Sequence, residues 1–180
     1  LVALMEIQAS RTVARMGKDG APVLLLDQDR AKWDQLLIRR GLAGLDRALA
    51  LGGENGAYVL QASIAACHAR ARKADGTDWR AIAGYYDTLA VVTPSPVVEL
   101  NRAVAHAMAF GPAKGLELID ALADAPALKA YHLLPAVRGD FLLKLGRMSE
   151  AAVEFERAAG MTRNEQERSL LLARARNSAA

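Results

Sequence analysis

Gly76, Gly111 and Gly146 stand 35 residues apart, and each lies between two stretches with helical patterning. A fixed period of this size marks a chain built from stacked supersecondary units, and periods near 34 belong to helix–turn–helix repeats. Each pair in such an array buries its apolar face against a neighbour, leaving extended surfaces suited to binding. The spacing therefore points to an all-α fold with a binding or regulatory role before any polar residue is considered.

Matching offsets support the period. A small residue follows two of the glycines at +5 (Ala81, Ala151) and an aromatic follows at +9 (Tyr85, Phe155). In the middle repeat the match slips by one residue, to Gly115 and Ile119. Extending the period back reaches Gly41, but Asp46 stands where the small residue belongs, so three repeats are expected. The predicted pairs cover about 57–73 with 78–92, 96–110 with 112–123, and a helix ending at Leu145 with 149–159. Thr77 or Asp78, Ser95, Ser149 and Thr162 are the expected N-caps, Pro96 suits the first turn, and Glu165 completes a capping box with Thr162. Pro135 is expected to interrupt its helix, leaving 127–132 as a separate turn. A last helix over about 163–176 turns polar at its end, as a terminal cap requires.

Residues 1–55 follow no repeat. A first helix is expected over 1–16, with Leu1, Leu4, Met5, Gln8 and Thr12 on one face, broken by the segment 17–22. Val23–Leu26 reads as an extended apolar segment pinned to a core. Asp27 or Asp29 would cap a helix carrying Trp33, Leu36, Leu37, Leu45, Ala48 and Leu49 on one stripe, kinked at Gly41 or Gly44 and ended by Gly52-Gly53.

Charge and chemistry narrow the role. Residues 1–75 hold 11 Lys/Arg against 8 Asp/Glu, and residues 76–180 hold 12 against 12, so the net +3 lies in the first part. Its clusters, Arg70-Arg72-Lys73 and Arg39-Arg40, can contact phosphates but read more simply as solvated helix ends. The single cysteine, Cys67, excludes an intrachain disulfide and suits a reducing cytoplasm. The first residues lack a basic segment and a long apolar core, so they are no signal peptide, and they read as the inside of a helix cut from a longer protein. No run of about 18 apolar residues exists to span a membrane.

No enzyme, metal or cofactor is expected. His68, His106 and His132 fall one per repeat with no neighbouring Cys or His ligand at helical spacing. Cys67 and His68 point about 100° apart on a helix and cannot readily pair as nucleophile and base, so a core thiol is expected. Asp27 and Asp29 fit a helix N-terminus better than an acid pair. Trp33, Trp79, Tyr85 and Tyr86 lie on helical stripes and read as core. Phosphate-binding glycine loops and nucleophile elbows are absent. The A helices of paired-helix arrays line a concave face, which would carry Arg70, Lys73, Asn101, Asp140 and Lys144 as a mixed polar groove for a peptide or another domain, unless these are solvated positions.

Two stretches, Asp78–Asp87 and Gly146–Phe155, look like the second helix of a tetratricopeptide repeat (TPR). Four longer strings resemble the C-terminal region of bacterial extracytoplasmic-function (ECF) sigma factors with a TPR-like extension. They are Leu26-Asp27-Gln28-Asp29-Arg30 with Trp33-Asp34, Leu60–Ala71, Pro94–Ala105 and Tyr131–Arg138. The resemblance implies a parent that binds core RNA polymerase and reads promoter DNA through regions absent here, with this extension regulating it. The first helix would join the two parts. Partners would be the parent's own sigma regions, the polymerase or a signalling protein. The expectation is a right-handed TPR-like stack of antiparallel helix pairs at 56–180 with a C-terminal capping helix, forming one compact body with 1–55. The alternatives are a free-standing TPR-like adaptor and, for lack of any converging polar set less favoured, a helical enzyme domain.

Overall fold

Nine α-helices form among the residues that the computed structural model describes, 1–18, 20–123 and 125–179, and none of these residues joins a strand. Asp19, inside the predicted break, lies outside the described residues. Met16 and Pro22 pair in an isolated antiparallel bridge. No described helix is long and apolar enough to cross a membrane. The chain divides into two compact units, Leu1–Thr93 and Pro94–Ala180.

The N-terminal unit contains α1 (Val2–Ala9), α2 (Gln35–Ala50), α3 (Ala57–Arg70) and α4 (Trp79–Val92). The first helix is shorter than the pattern predicts. It stops at Ala9, where Ser10 Oγ donates back to Ile7 O at 2.6 Å, and a 3-10 turn Thr12–Arg15 follows. Its inner face is Ile7 with Ala3 and Leu4, while Leu1 and Met5 are exposed. Helix α2 buries Ile38, Gly41 and Leu45, leaving Leu36 and Leu49 to solvent, because α1 and α3 pack against the other side. Gly41 and Gly44 do not break it. They admit α1: a Cβ at Gly41 would stand 2.6 Å from Ile7 Cγ1 and 3.0 Å from Ala3 O. Val23–Leu26 is not pinned extended; Leu24 is 72% exposed and only Leu25 touches the core.

The helix-pair boundaries of the repeats hold closely, and of the expected caps Asp78 holds while others do not. Asp78 caps α4, accepting from Ala81 N at 2.9 Å. In the C-terminal unit, α5 (Pro96–Phe110) and α6 (Pro112–Asp120) turn at Gly111, whose φ of +100° suits only glycine. Gly146 turns α7 (Leu133–Lys144) into α8 (Met148–Met161) at φ +75°, whereas Gly76 sits in a 3-10 turn without a positive φ. Ser95 and Ser149 make no cap bond. Pro135 does not interrupt a helix: α7 begins at Leu133, so the proline falls in the first turn where no N–H is required. Asn164, not Thr162, caps α9 (Glu165–Ala179), accepting from Gln166 N and Glu167 N.

Small residues set the packing of this unit. A Cβ at Gly115 would meet Ala107 Cβ at 2.5 Å and Phe141 at 2.7 Å, and one at Gly139 would meet the Phe155 ring at 2.8 Å. Ile119, Leu142, Ala151 and Phe155 are fully buried, and Leu171 and Ala175 of α9 join the same core.

Candidate functional site: a basic pocket beside Trp33

The loop before α2 places one cation inside the protein. Asp29 Oδ1 accepts from Ala31 N at 3.0 Å and starts a 3-10 turn, Arg30–Lys32. Asp34 Oδ1 then accepts from Leu36 N and Leu37 N, capping α2. Neither aspartate is part of an acid pair; both are caps, and Asp27 is exposed. The turn between them drives Arg30 inward, where it is 7% exposed. Its Nη1 donates to His68 O at 2.8 Å and Ala71 O at 2.9 Å, and its Nη2 donates to Thr77 Oγ1 at 3.0 Å. The last carbonyls of any helix lack intrahelical partners. Arg30 supplies them for α3 from 38 and 41 residues away.

Trp33 packs beneath this cation. The Arg30 guanidinium lies 5.2 Å from its ring centroid and that of Arg11 5.8 Å. His68 stands edge-on to Trp79 at 5.2 Å. Burial, followed by the positive charges of Arg30 and Arg11, lowers the His68 pKa from 6.5 to about 4. Burial likewise pushes the Cys67 thiol up, so it is no ready thiolate.

The His68 shift predicts a pH dependence. The folded state holds His68 neutral, while the unfolded chain binds a proton below about pH 6.5, so stability is complete above that pH and falls toward pH 4. The loss is about 3 kcal/mol at 1.36 kcal/mol per unit. Urea midpoints at pH 7 and pH 4.5 should separate by more in the parent than in His68→Phe; equal separations would refute a buried neutral imidazole.

Beside this cluster lies a cavity of about 430 Å³, open to solvent. Trp33, Ala69 and Ala71 form its apolar side, and Arg30, Arg70 and Arg72 its polar side, with no carboxylate in the wall. A larger cavity of about 510 Å³ lies among α1, α2 and α3, but there Arg40 is already paired with Glu6 at 2.6 Å.

The five groove residues of the sequence reading divide between the units. Arg70 lines the Trp33 cavity, and its guanidinium reaches Asp46 at 3.7 Å. Lys73 is exposed just before the turn Ala74–Gly76. In the C-terminal unit, Asn101 and Lys144 are exposed on α5 and α7, and Asp140 is paired with Arg174 of α9. The inward placement of Arg30 was missed because its partner carbonyls are distant in sequence and no local pattern announces them. A second polar network binds the C-terminal unit: Arg138 Nε donates to Asp120 at 2.8 Å and its Nη1 to Glu154 at 2.9 Å. Among the described residues, no group of three or more His, Cys, Asp or Glu side chains is placed to hold a metal ion.

The fold and pocket define an all-helical protein built largely from short-linked helix pairs, with an arginine-rich concavity in its N-terminal unit. The sequence pattern of a family of unknown function (DUF6596) matches residues 1–49, the stretch that carries α1, Arg30, Trp33 and nearly all of α2. An uncharacterized protein of Rhizobium meliloti (strain 1021) is 42% identical over 167 residues, which covers 93% of this chain and 39% of that protein. The chain thus spans well under half the length of this relative. No solved structure matches.

Proposed function

We propose that this chain is the regulatory, protein-interaction region of a bacterial ECF sigma factor, acting in the cytoplasm on transcription initiation. The helix pairs α3–α4, α5–α6 and α7–α8 are read as TPR-like repeats, with α9 as their cap. The reading rests on the four strings that resemble such extensions. Their place in the fold is consistent with a common design. The first string supplies Arg30, which holds the carbonyls at the end of the second. The third supplies Leu100 and Ala103, which share a core with Leu134 and Ala136 of the fourth. The greater length of the Rhizobium relative leaves room for DNA-reading and polymerase-binding regions elsewhere in a parent. A binding role fits the arginine-rich cavity better than catalysis, since neither Cys67 nor His68 is among the residues that line it.

The test is in vitro transcription with core polymerase and the full-length parent, with and without this region. Deletion should change transcript yield several-fold while footprints of the parent on promoter DNA persist. Unchanged yield, with a protein partner still captured by the region, would replace this reading with that of a free-standing adaptor.

A further inference from the structure

We propose that the cavity beside Trp33 docks an acidic peptide segment of a protein partner, with a carboxylate held by Arg70 and Arg72 and a neighbouring apolar side chain resting on Ala69 and Ala71. The proposal rests on the reading of this chain as an interaction module, but not on the partner belonging to the transcription machinery.

The argument begins with the end of α3. Cations near a helix C-terminus ordinarily serve the last carbonyls and the negative end of the helix dipole. Here Arg30 has taken that role from a distant loop, so Arg70 and Arg72 are released from it. Arg70 has only a long contact with Asp46, between side chains 53% and 66% exposed. Such a pair contributes at most about 1 kcal/mol and is readily exchanged. Arg72 has no ion-pair or hydrogen-bond partner among the described residues. Two planar guanidinium forks thus line one concavity without a fixed partner, and fork geometry matches a carboxylate in bidentate fashion.

Charge balance points the same way. Arg11 and Arg30 add positive charge over Trp33, behind the cavity wall, and Asp75 is the acid whose field reaches Arg30. The wall itself offers no carboxylate, so an incoming one meets a net positive field, opposed from outside the wall by Asp46 near Arg70 and by Asp75. Shape selects the occupant. Ala69 and Ala71 are half-buried, giving the cations an apolar flank that a free phosphate would leave uncovered. A nucleic-acid strand needs an open aromatic face and an extended basic track, whereas Trp33 is 3% exposed. An acidic residue beside an apolar one satisfies both walls.

The test is fluorescence anisotropy of the whole chain with a fluorescein-labelled peptide of alternating Leu and Glu. An all-Gly/Glu peptide, a Leu/Lys peptide, a single-stranded oligonucleotide and inorganic phosphate serve as comparators. The Leu/Glu peptide should bind most tightly and weaken with salt. Arg72→Glu and Arg70→Glu should each lower its affinity at least about tenfold, with helicity and urea midpoint retained. Arg163→Glu, an equal charge change on an exposed residue of the C-terminal unit, should leave binding within about twofold. Equal binding of the Leu/Lys peptide, indifference to Arg72→Glu, or an equal effect of Arg163→Glu would overturn the docking site. Tighter binding of the oligonucleotide would overturn it too, as would phosphate displacing a peptide that gains nothing from its leucines. Any of these results, alongside a transcription effect of deletion, would remove the pocket and leave the regulatory reading standing.

Discussion

Replacing Arg30 by Met is expected to destabilise the N-terminal unit by about 3 kcal/mol, far more than loss of any other arginine in that unit. Methionine keeps much of the side-chain volume, so the effect isolates the guanidinium. Its removal strands His68 O and Ala71 O at the end of α3 and leaves Thr77 Oγ1 without its donor. A buried acceptor left unmet costs about 1–3 kcal/mol, and of these three His68 O and Thr77 Oγ1 are in buried bonds. Loss of the cation over Trp33 adds a smaller increment. Arg40→Met is the comparator. That side chain is 63% exposed in its pair with Glu6, so its loss should change stability by no more than about 1 kcal/mol. Both tryptophans of the chain, Trp33 and Trp79, lie in this unit, so urea unfolding followed by tryptophan fluorescence reports on it directly. Equal midpoints for the two variants would show that Arg30 does not hold α3.

Phe155→Ala should cost the C-terminal unit about 3–5 kcal/mol, the usual range for truncating a fully buried phenylalanine. The ring has no exposed surface, and it occupies the space left by the missing side chain of Gly139. The Arg174 guanidinium of α9 lies 4.3 Å from the ring centroid while that residue also pairs with Asp140 of α7. One side chain therefore ties α7, α8 and α9 together, and the cavity left behind cannot collapse without moving all three. Hydrogen exchange of the α8 amides should accelerate by the corresponding factor, while the tryptophan signal, absent from this unit, stays silent. A loss below about 1 kcal/mol would mean that the neighbouring helices close the gap.

These two residues show why the sequence can be read unevenly. Phe155 is visible in advance: it recurs at a fixed offset from a turn glycine, on the stripe an α-helix buries, and a side chain of that size has one place to go. Arg30 is not. Its immediate neighbours are Asp29 and Ala31, a context in which an arginine ordinarily stays solvated. Its burial depends on the end of another helix presenting carbonyls at the right distance. Gly41 likewise depends on a distant neighbour. A glycine inside a helix costs stability wherever it falls, so sequence alone suggests a kink or break, whereas the structure shows α1 packed there, with Ile7 Cγ1 2.6 Å and Ala3 O 3.0 Å from where a Cβ would stand. The site was legible only in part. The Arg70-Arg72-Lys73 run was noticed as charge, but the concavity that sets Arg70 and Arg72 beside Trp33 joins segments that share no period.

The sequence by itself determined the all-helical character, the ends of most of the paired helices and the turns at Gly111 and Gly146, because propensity, proline and positive-φ glycine act within a few residues of where they stand. Only the tertiary structure decided which way Arg30 points, which face of α1 and α2 is inside, and that Arg30, Arg70 and Arg72 line one cavity. Those outcomes depend on groups far apart in sequence, 38 to 47 residues for the bonds of Arg30, where burial, hydrogen-bond satisfaction and charge are settled jointly and no local rule can anticipate them.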